Sequence, residues 1–438
     1  MRRGPLILAI SLAAGAVTVA TGAAAEPPKR ATPDYDGRPE PDASAGDVLL
    51  WVPRIVVYPV YLFSEYVLRE GLSRAIGGAE KLRADSEEED TFGFTPALEL
   101  ETQRRPVFGL MAIWREVGDK RHTLRGYAGF GGTDWLRAIL GSRVDLDEGA
   151  EVTMRAEASR RPDGIFWGIG PLAPEGDAAR YGRDVFEGSF AARVPVVSHL
   201  RLTFDAGLRR DHFDAPACCE EPSVIGRVAR GEMTAPPGFG GFTRLHQGLG
   251  LDVDSRDEPG ARATGLAVHG DAAHAIDVES PHLDRWVRWG GTLQGEVDVT
   301  GTERMLGLSL QARFADPLAG GEVPFVELAS LGGDDMRGFV QGRFLGRSAT
   351  VATLGWRWPL WPYFEGRTHI ACGTVAGAHL DGWRAGDLRL SFDIGLHTEP
   401  PSPTDWELEL MVGLGTERFE DGGGPETGRV LFAVTPRF

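Results

Sequence analysis

From Thr91 to the C-terminus, apolar and polar residues alternate with a period of two in one segment after another. In 200–209, Leu200, Leu202, Phe204, Ala206 and Leu208 share one face, and Arg201, Thr203, Asp205 and Arg209 the other. In 287–300, Val287, Trp289, Leu293, Val297 and Val299 oppose Arg288, Thr292, Gln294, Glu296 and Asp298. In 388–397, Leu388, Leu390, Phe392, Ile394 and Leu396 oppose Arg389, Ser391, Asp393 and His397. In 406–414, Trp406, Leu408, Leu410, Val412 and Leu414 oppose Glu407 and Glu409. Side chains alternate across an extended strand, so each segment has one apolar face and one polar face. The polar faces carry full charges, which suits a wet lumen better than the second layer of a protein core. The pattern predicts sixteen strands, at approximately 92–103, 107–117, 122–131, 136–146, 151–161, 184–196, 200–213, 242–257, 264–278, 286–300, 304–317, 348–360, 364–377, 388–399, 406–418 and 428–438.

The connections between these strands alternate in length. GDKR, DEGA, VSH, EPGARA, GTE, WPY and PSPTD form a short set. The other set holds every long loop: 162–183, 214–241, 318–347 and EDGGGPETG near the end. Outer-membrane barrels have short periplasmic turns, long external loops and usually an even number of strands. An even count places both termini in the periplasm. No apolar run after the N-terminus is long enough for a membrane-spanning helix. A chain that crosses lipid with strands must close them into a barrel to satisfy its backbone. The expected fold class is therefore all-β: a sixteen-stranded antiparallel transmembrane β-barrel with a short N-terminal periplasmic helical segment.

Both ends of the chain agree with this. Arg2 and Arg3 precede an apolar stretch, and Ala23-Ala24-Ala25 offers a small-residue cleavage site, so 1–25 reads as a secretory signal peptide. Residues 26–46, rich in Pro, Asp and Ala, read as a disordered linker. Residues 47–91 read as a periplasmic amphipathic or helical segment. There LLWVPRIVVYPVYLF leads into a stretch with Tyr66, Leu68, Leu72, Ile76 and Leu82 at helical spacing. It would lie on the membrane surface, plug the barrel mouth or pack against the barrel. The barrel itself is expected over 92–438, ending in RVLFAVTPRF. Val430, Phe432, Val434 and Phe438 share one face of that last strand. Phe438, Val434 and Phe432 resemble the C-terminal assembly signal of bacterial outer-membrane barrels, although Pro436 stands where an aromatic is more usual.

Charge and reactive residues narrow the function. A formal charge of -17 argues against non-specific nucleic-acid binding. Cys218 and Cys219 are adjacent and Cys372 is remote, so no disulfide framework is implied. The vicinal pair is read as two small loop residues rather than a strained ring. There is no G-x-S-x-G, no H-E-x-x-H and no Cys-x-x-Cys pair, so no catalytic residue, metal or cofactor is expected, and the chain is not read as an enzyme. His246 and His269 are read as lumen or interfacial residues. Asp252, Asp254 and Asp257 lack a calcium-loop pattern and are read as a surface acidic cluster. Trp356, Trp358 and Trp361 fit an interfacial aromatic belt.

The connection between the eleventh and twelfth strands carries a family resemblance. It contains Leu331-Gly332-Gly333, then Met336-Arg337-Gly338-Phe339, and Trp356-Arg357-Trp358-Pro359-Leu360 follows in the next strand. IFWGIGP at 165–171 and DVDSRDEPGARATG at 252–265 add recurring segments. Together these resemble the BamA/TamA-type superfamily, the bacterial surface antigen family of outer-membrane insertases and two-partner secretion transporters. The resemblance covers the barrel from about residue 92 onward. It implies that the sixth external loop folds into the lumen. A barrel of this strand number has a lumen too wide for wall side chains to fill. Gly332, Gly333 and Gly338 would permit the turns and close approaches such a loop needs. Arg337 would offer a planar fork of donors to a wall carboxylate, with Phe339 beside it.

The chain departs from the family pattern in two places. The thirteenth strand, EGRTHIACGTVAG, lacks the F-x-D-x-G acceptor for the loop arginine. Asp393 is the preferred substitute, with Glu409 and Glu365 behind it. Residues 26–91 are also too few and too proline-rich for a POTRA domain. The resemblance implies an outer-membrane location and gated translocation or membrane insertion of a polypeptide or lipid. It implies outer-membrane lipid and the outer-membrane assembly machinery as partners. A passive solute pore and a structural surface protein remain the alternatives.

Overall fold

The computed structural model describes residues 91–436, except 119–120, 133, 217, 219–221, 257–262, 281, 283, 319, 362–363 and 399–405. The expected signal peptide, linker and N-terminal segment up to Asp90 lie outside the described residues, as do Cys219, Asp257 and Phe438. The first strands are short: β1 (Phe92–Glu101), β2 (Val107–Trp114), β3 (His122–Phe130) and β4 (Leu136–Asp145). Longer ones follow: β5 (Glu151–Phe166), β6 (Ala179–Val197), β7 (Leu200–Asp214), β8 (Phe242–Asp254), β9 (Gly265–Asp277), β10 (Arg285–Asp298) and β11 (Met305–Leu318). Two short strands, β12 (Ala329–Leu331) and β13 (Phe344–Gly346), lie within the next connection. The wall resumes with β14 (Ser348–Trp361), β15 (Phe364–Ala376), β16 (Arg389–Thr398), β17 (Trp406–Thr416) and β18 (Pro425–Pro436).

All sixteen strands expected from the alternation are present and close into one antiparallel barrel. Neighbours follow chain order, with β11 beside β14 and β18 returning to β1. The pair β12–β13 forms a separate two-stranded sheet. The main departure in extent is at β5 and β6, which run past the expected ends to Phe166 and back to Ala179. Their extra rungs pair Gly164 with Tyr181 and Phe166 with Ala179 after a bulge at Arg161/Gly164. A bulge adds one residue and re-aims the strand, which a strict period-two pattern cannot anticipate.

The alternation sets the two surfaces. Phe94, Leu110, Leu140, Phe186, Leu249 and Val412 point outward and are exposed. A soluble monomer does not present so continuous an apolar belt; it suits lipid. The inner wall is charged and internally paired. Arg137 and Arg155 both bond Glu157, Arg183 and Arg209 both bond Asp211, and Arg256 and Arg357 both bond Glu296. His246 and His269 lie on this inner side, beside Asp205 and Asp252 respectively. The expected acidic surface cluster is likewise a set of lumen pairs, Asp252 with His269 and Asp254 with Arg256. Cys218 is disulfide-bonded, which corrects its reading as an unlinked loop residue, and Cys372 is free.

Connections at one end of the barrel are short. The longest connections all lie at the other end, and the sixth connection there, 319–347, enters the lumen. Its first half packs Phe325 and Leu328 among Phe166, Tyr181, Phe213, Phe242 and Trp286 of the wall. Its second half packs Leu331, Met336, Phe339 and Phe344 against Ala349, Val351, Ala371 and Val375 of β14 and β15. The long fourth loop, 215–241, adds α1 (Val224–Ala229). Ser223 caps this helix, its Oγ accepting from the Gly226 N–H at 3.0 Å.

Candidate functional site: the lumen loop and the barrel seam

The loop turns on glycines. Gly332 and Gly333 have φ of +111° and +66°, the left-handed region where a side chain is strained. A Cβ on Gly332 would also stand 2.2 Å from the Val340 carbonyl oxygen. The Gly333 N–H donates to the Phe339 carbonyl at 2.9 Å, closing a compact tip over 333–339. Gly338 has a different role. Its Cα lies flat on β17, where a Cβ would stand 2.1 Å from the Leu414 carbonyl oxygen. The Gly338 N–H donates to Ser391 Oγ of β16 at 2.7 Å. The wall is equally bare at this point. A Cβ on Gly413 would meet the Arg337 carbonyl at 2.8 Å, and one on Gly415 would enter the Phe339 ring at 2.4 Å.

Arg337 reaches the inner wall. Its Nη1 donates to Glu409 Oε1 on β17, and Asp334 Oδ1 lies 3.6 Å from its Nη2. Asp393, the preferred acceptor on sequence grounds, instead lies with its Oδ1 2.9 Å from His369 Nδ1. Glu365 is engaged by Arg367. The reason is register. Glu409 pairs with His397 on β16, four residues beyond Asp393, which itself pairs with Gly413. With Gly338 pressed on the Gly413–Gly415 stretch, the arginine beside it points along β17 to Glu409. The pair is half-buried beside a cavity of about 400 Å³ lined by Arg337, Asp335, Arg357, His369 and Asp393. That cavity is roomy and polar enough to hold water, so the pair escapes the full desolvation cost of a dry ion pair.

Four further contacts hold the loop, none of them singled out in the sequence. Arg313 of β11 makes a two-pronged bond to Asp335, at 2.7 and 3.1 Å. Arg343 donates to Glu426 of β18 at 2.9 Å and to the Ala173 carbonyl at 3.0 Å. Its guanidinium lies 4.7 Å from the Phe344 ring centre, and that of Arg389 lies 4.9 Å from the same ring. Glu327, deeply buried, faces Arg244 at 3.1 Å and Arg288 at 3.4 Å.

The loop also touches the seam. Among the described residues, β1 and β18 pair over four residues, from Leu98↔Val434 to Glu101↔Leu431, and Thr102 and Val430 add two further hydrogen bonds. By contrast, β1 pairs with β2 over eight and β17 with β18 over eleven. Pro96, which has no N–H to donate, lies in the half of β1 that has no partner among the described residues of β18. Across the seam Arg429 Nε of β18 donates to Glu101 Oε1 of β1 at 2.8 Å. The Arg429 Nη1 donates to the Arg337 carbonyl at 3.3 Å. One buried guanidinium thus joins first strand, last strand and lumen loop. On the outer face of β18, Val430 is exposed and Phe432 and Val434 are half-buried.

No protein-family model and no curated protein matches this sequence. The barrel does match solved structures. BamA from Haemophilus ducreyi, in a structure lacking POTRA domains 1-3, superposes with a TM-score of 0.53 at 13% identity, over 79% of this chain and 70% of that one. CdiB from Acinetobacter baumannii gives 0.48 at 11% identity over 79% of this chain and 60% of that one. CdiB from Escherichia coli gives 0.47 at 13% over 80% and 64%. At such identities the likeness is one of fold. The chain is a closed sixteen-stranded barrel whose fold is similar to that of BamA from Haemophilus ducreyi.

Proposed function

We propose that the chain is an outer-membrane barrel that gates translocation or membrane insertion of a polypeptide or lipid. The long loops would face outward and the short turns the periplasm. The observation that carries this reading is a loop docked in the lumen next to a seam with four paired residues among those described. A passive pore needs an open lumen, and here the sixth loop occupies part of it, packed against β14–β17. A backbone group left unpaired in lipid costs several kcal/mol, so a short seam is the cheapest place for the wall to open. Glu101–Arg429–Arg337 would make loop position and seam closure report on each other. Outer-membrane lipid would surround the wall, and the outer-membrane assembly machinery would place it there.

Planar-bilayer conductance tests the proposal. The wild-type barrel should be mostly closed, and Arg337→Ala should open it. A large, steady, ion-selective current from the wild type would favour a passive pore and refute gating by the loop. Disappearance of one class of exported protein or lipid from the surface of a deletion strain would identify the cargo. A deletion strain with every exported class unchanged would favour a structural surface protein.

A further inference from the structure

At the short-turn end of the outer wall, the described apolar side chains are exposed or half-buried except in one place. Leu354 of β14 points outward and is 44% exposed, like Leu140 and Leu249 elsewhere at 69 and 66%. Trp356, Trp358 and Leu360 continue the same outward row, yet they are only 3, 2 and 7% exposed. Register fixes their direction. Trp356 stands opposite Leu306 of β11, and Trp358 opposite Gly366 of β15. Arg357 between them points the other way and bonds lumen Glu296 at 2.8 Å. Val299 and Thr398, outward at the same end, are each 1% exposed. The patch thus runs across β10, β11, β14, β15 and β16 at the short-turn end.

Its described packing partners, Val297, Leu306 and Leu396, belong to the same wall. A single convex row of side chains cannot cover itself, so protein lies over it. Both indole N–H groups are buried without an acceptor. An interfacial tryptophan keeps that group wet among headgroups. The aromatic-belt reading of Trp356 and Trp358 is corrected on this ground.

We infer that the cover is the chain's own N-terminal segment, residues 47–82. That stretch contains LLWVPRIVVYPVYLF and the helically spaced row Tyr66, Leu68, Leu72, Ile76 and Leu82, an apolar surface that needs a partner. The turns at this end are poor covers: Pro362-Tyr363 is short, and 399–405 (EPPSPTD) has no large apolar side chain. The reach is adequate. β14 is five strands from β1 around the wall, about 25 Å at roughly 4.8 Å per strand. The polar connector RADSEEEDT, 83–91, spans about 30 Å when extended. The segment therefore braces the outer wall at the short-turn end instead of plugging the lumen mouth.

Two measurements test this, and neither depends on gating. In the full chain in lipid nanodiscs, Leu306→Cys in a Cys372→Ser background is labelled with a benzophenone maleimide and irradiated. The main cross-link should fall within residues 47–82. Cross-links to lipid, to a second copy or to 399–405 instead would overturn the assignment. Bromine-labelled acyl chains then probe the fluorescence lost in Trp356→Phe/Trp358→Phe. That component should be shielded in the full chain and become quenched when residues 47–82 are deleted. Equal quenching in both chains would overturn the inference. If the shortened chain does not assemble, the cross-link decides alone.

Discussion

Gly338→Ala is the sharpest perturbation of the lumen loop. The added methyl would stand 2.1 Å from the Leu414 carbonyl oxygen, 2.2 Å from its carbon and 2.6 Å from Gly415 N. Ordinary contact starts near 3.4 Å, so the loop must retreat by about 1.3 Å, the difference between 3.4 and 2.1 Å. The obstacle is backbone paired on both sides, to Phe392 and to Gly428, and it cannot swing away as a side chain would. Overpacking of this kind costs about 1–3 kcal/mol. Loss of the Gly338–Ser391 hydrogen bond adds about 1 kcal/mol. A total on the order of 3 kcal/mol would lower the docked-to-undocked ratio about a hundredfold. Gly338 is not among the residues with positive φ. At such a site Gly→Ala ordinarily stabilises a protein by about 0.4–1 kcal/mol, so the sign of the effect discriminates. The variant barrel should show frequent channel openings in planar bilayers and lose its folded mobility on semi-native gels at a lower temperature. A variant as closed and as heat-resistant as the wild type would refute the close approach of Gly338 to β17.

Arg337→Ala and Glu409→Ala should each destabilise the loop by about 1–2 kcal/mol, below the cost of breaking a dry buried pair because the adjoining cavity admits water. The double variant should be no worse than the poorer single one, and strictly additive melting shifts would show that the pair does not interact. Phe339→Ala removes a ring that packs edge-on to Phe344 at 4.9 Å. It should cost about 3–5 kcal/mol, read as a lower denaturant midpoint; a change under about 1 kcal/mol would mean the ring is not anchored there. Glu101→Gln weakens the seam by taking the charge from the Arg429 partner. Amide exchange should rise in β1 and β18 while β9 and β10 stay protected, and uniform exchange across the wall would contradict a locally weak seam.

The alternation of side chains determined the barrel because its two solvents differ. Lipid selects Leu208, Phe392 and Val412 on one face, water selects Arg209, Asp393 and Glu409 on the other, and a one-residue slip would exchange them. Strand number and the position of the lumen loop follow from that same local rule, and Arg337 and its glycines were legible as a motif. The partner of Arg337 was not. Asp393 and Glu409 both point into the lumen, and only the docking of Gly338 onto Gly413 and Gly415 aims the guanidinium at one of them. The apolar lumen face of Ala349, Val351, Ala371 and Val375 was a usable signal that a loop covers it. Bridges such as Arg429–Glu101 join residues 328 positions apart. No local pattern encodes such a contact, because closure of the barrel alone brings the two strands together.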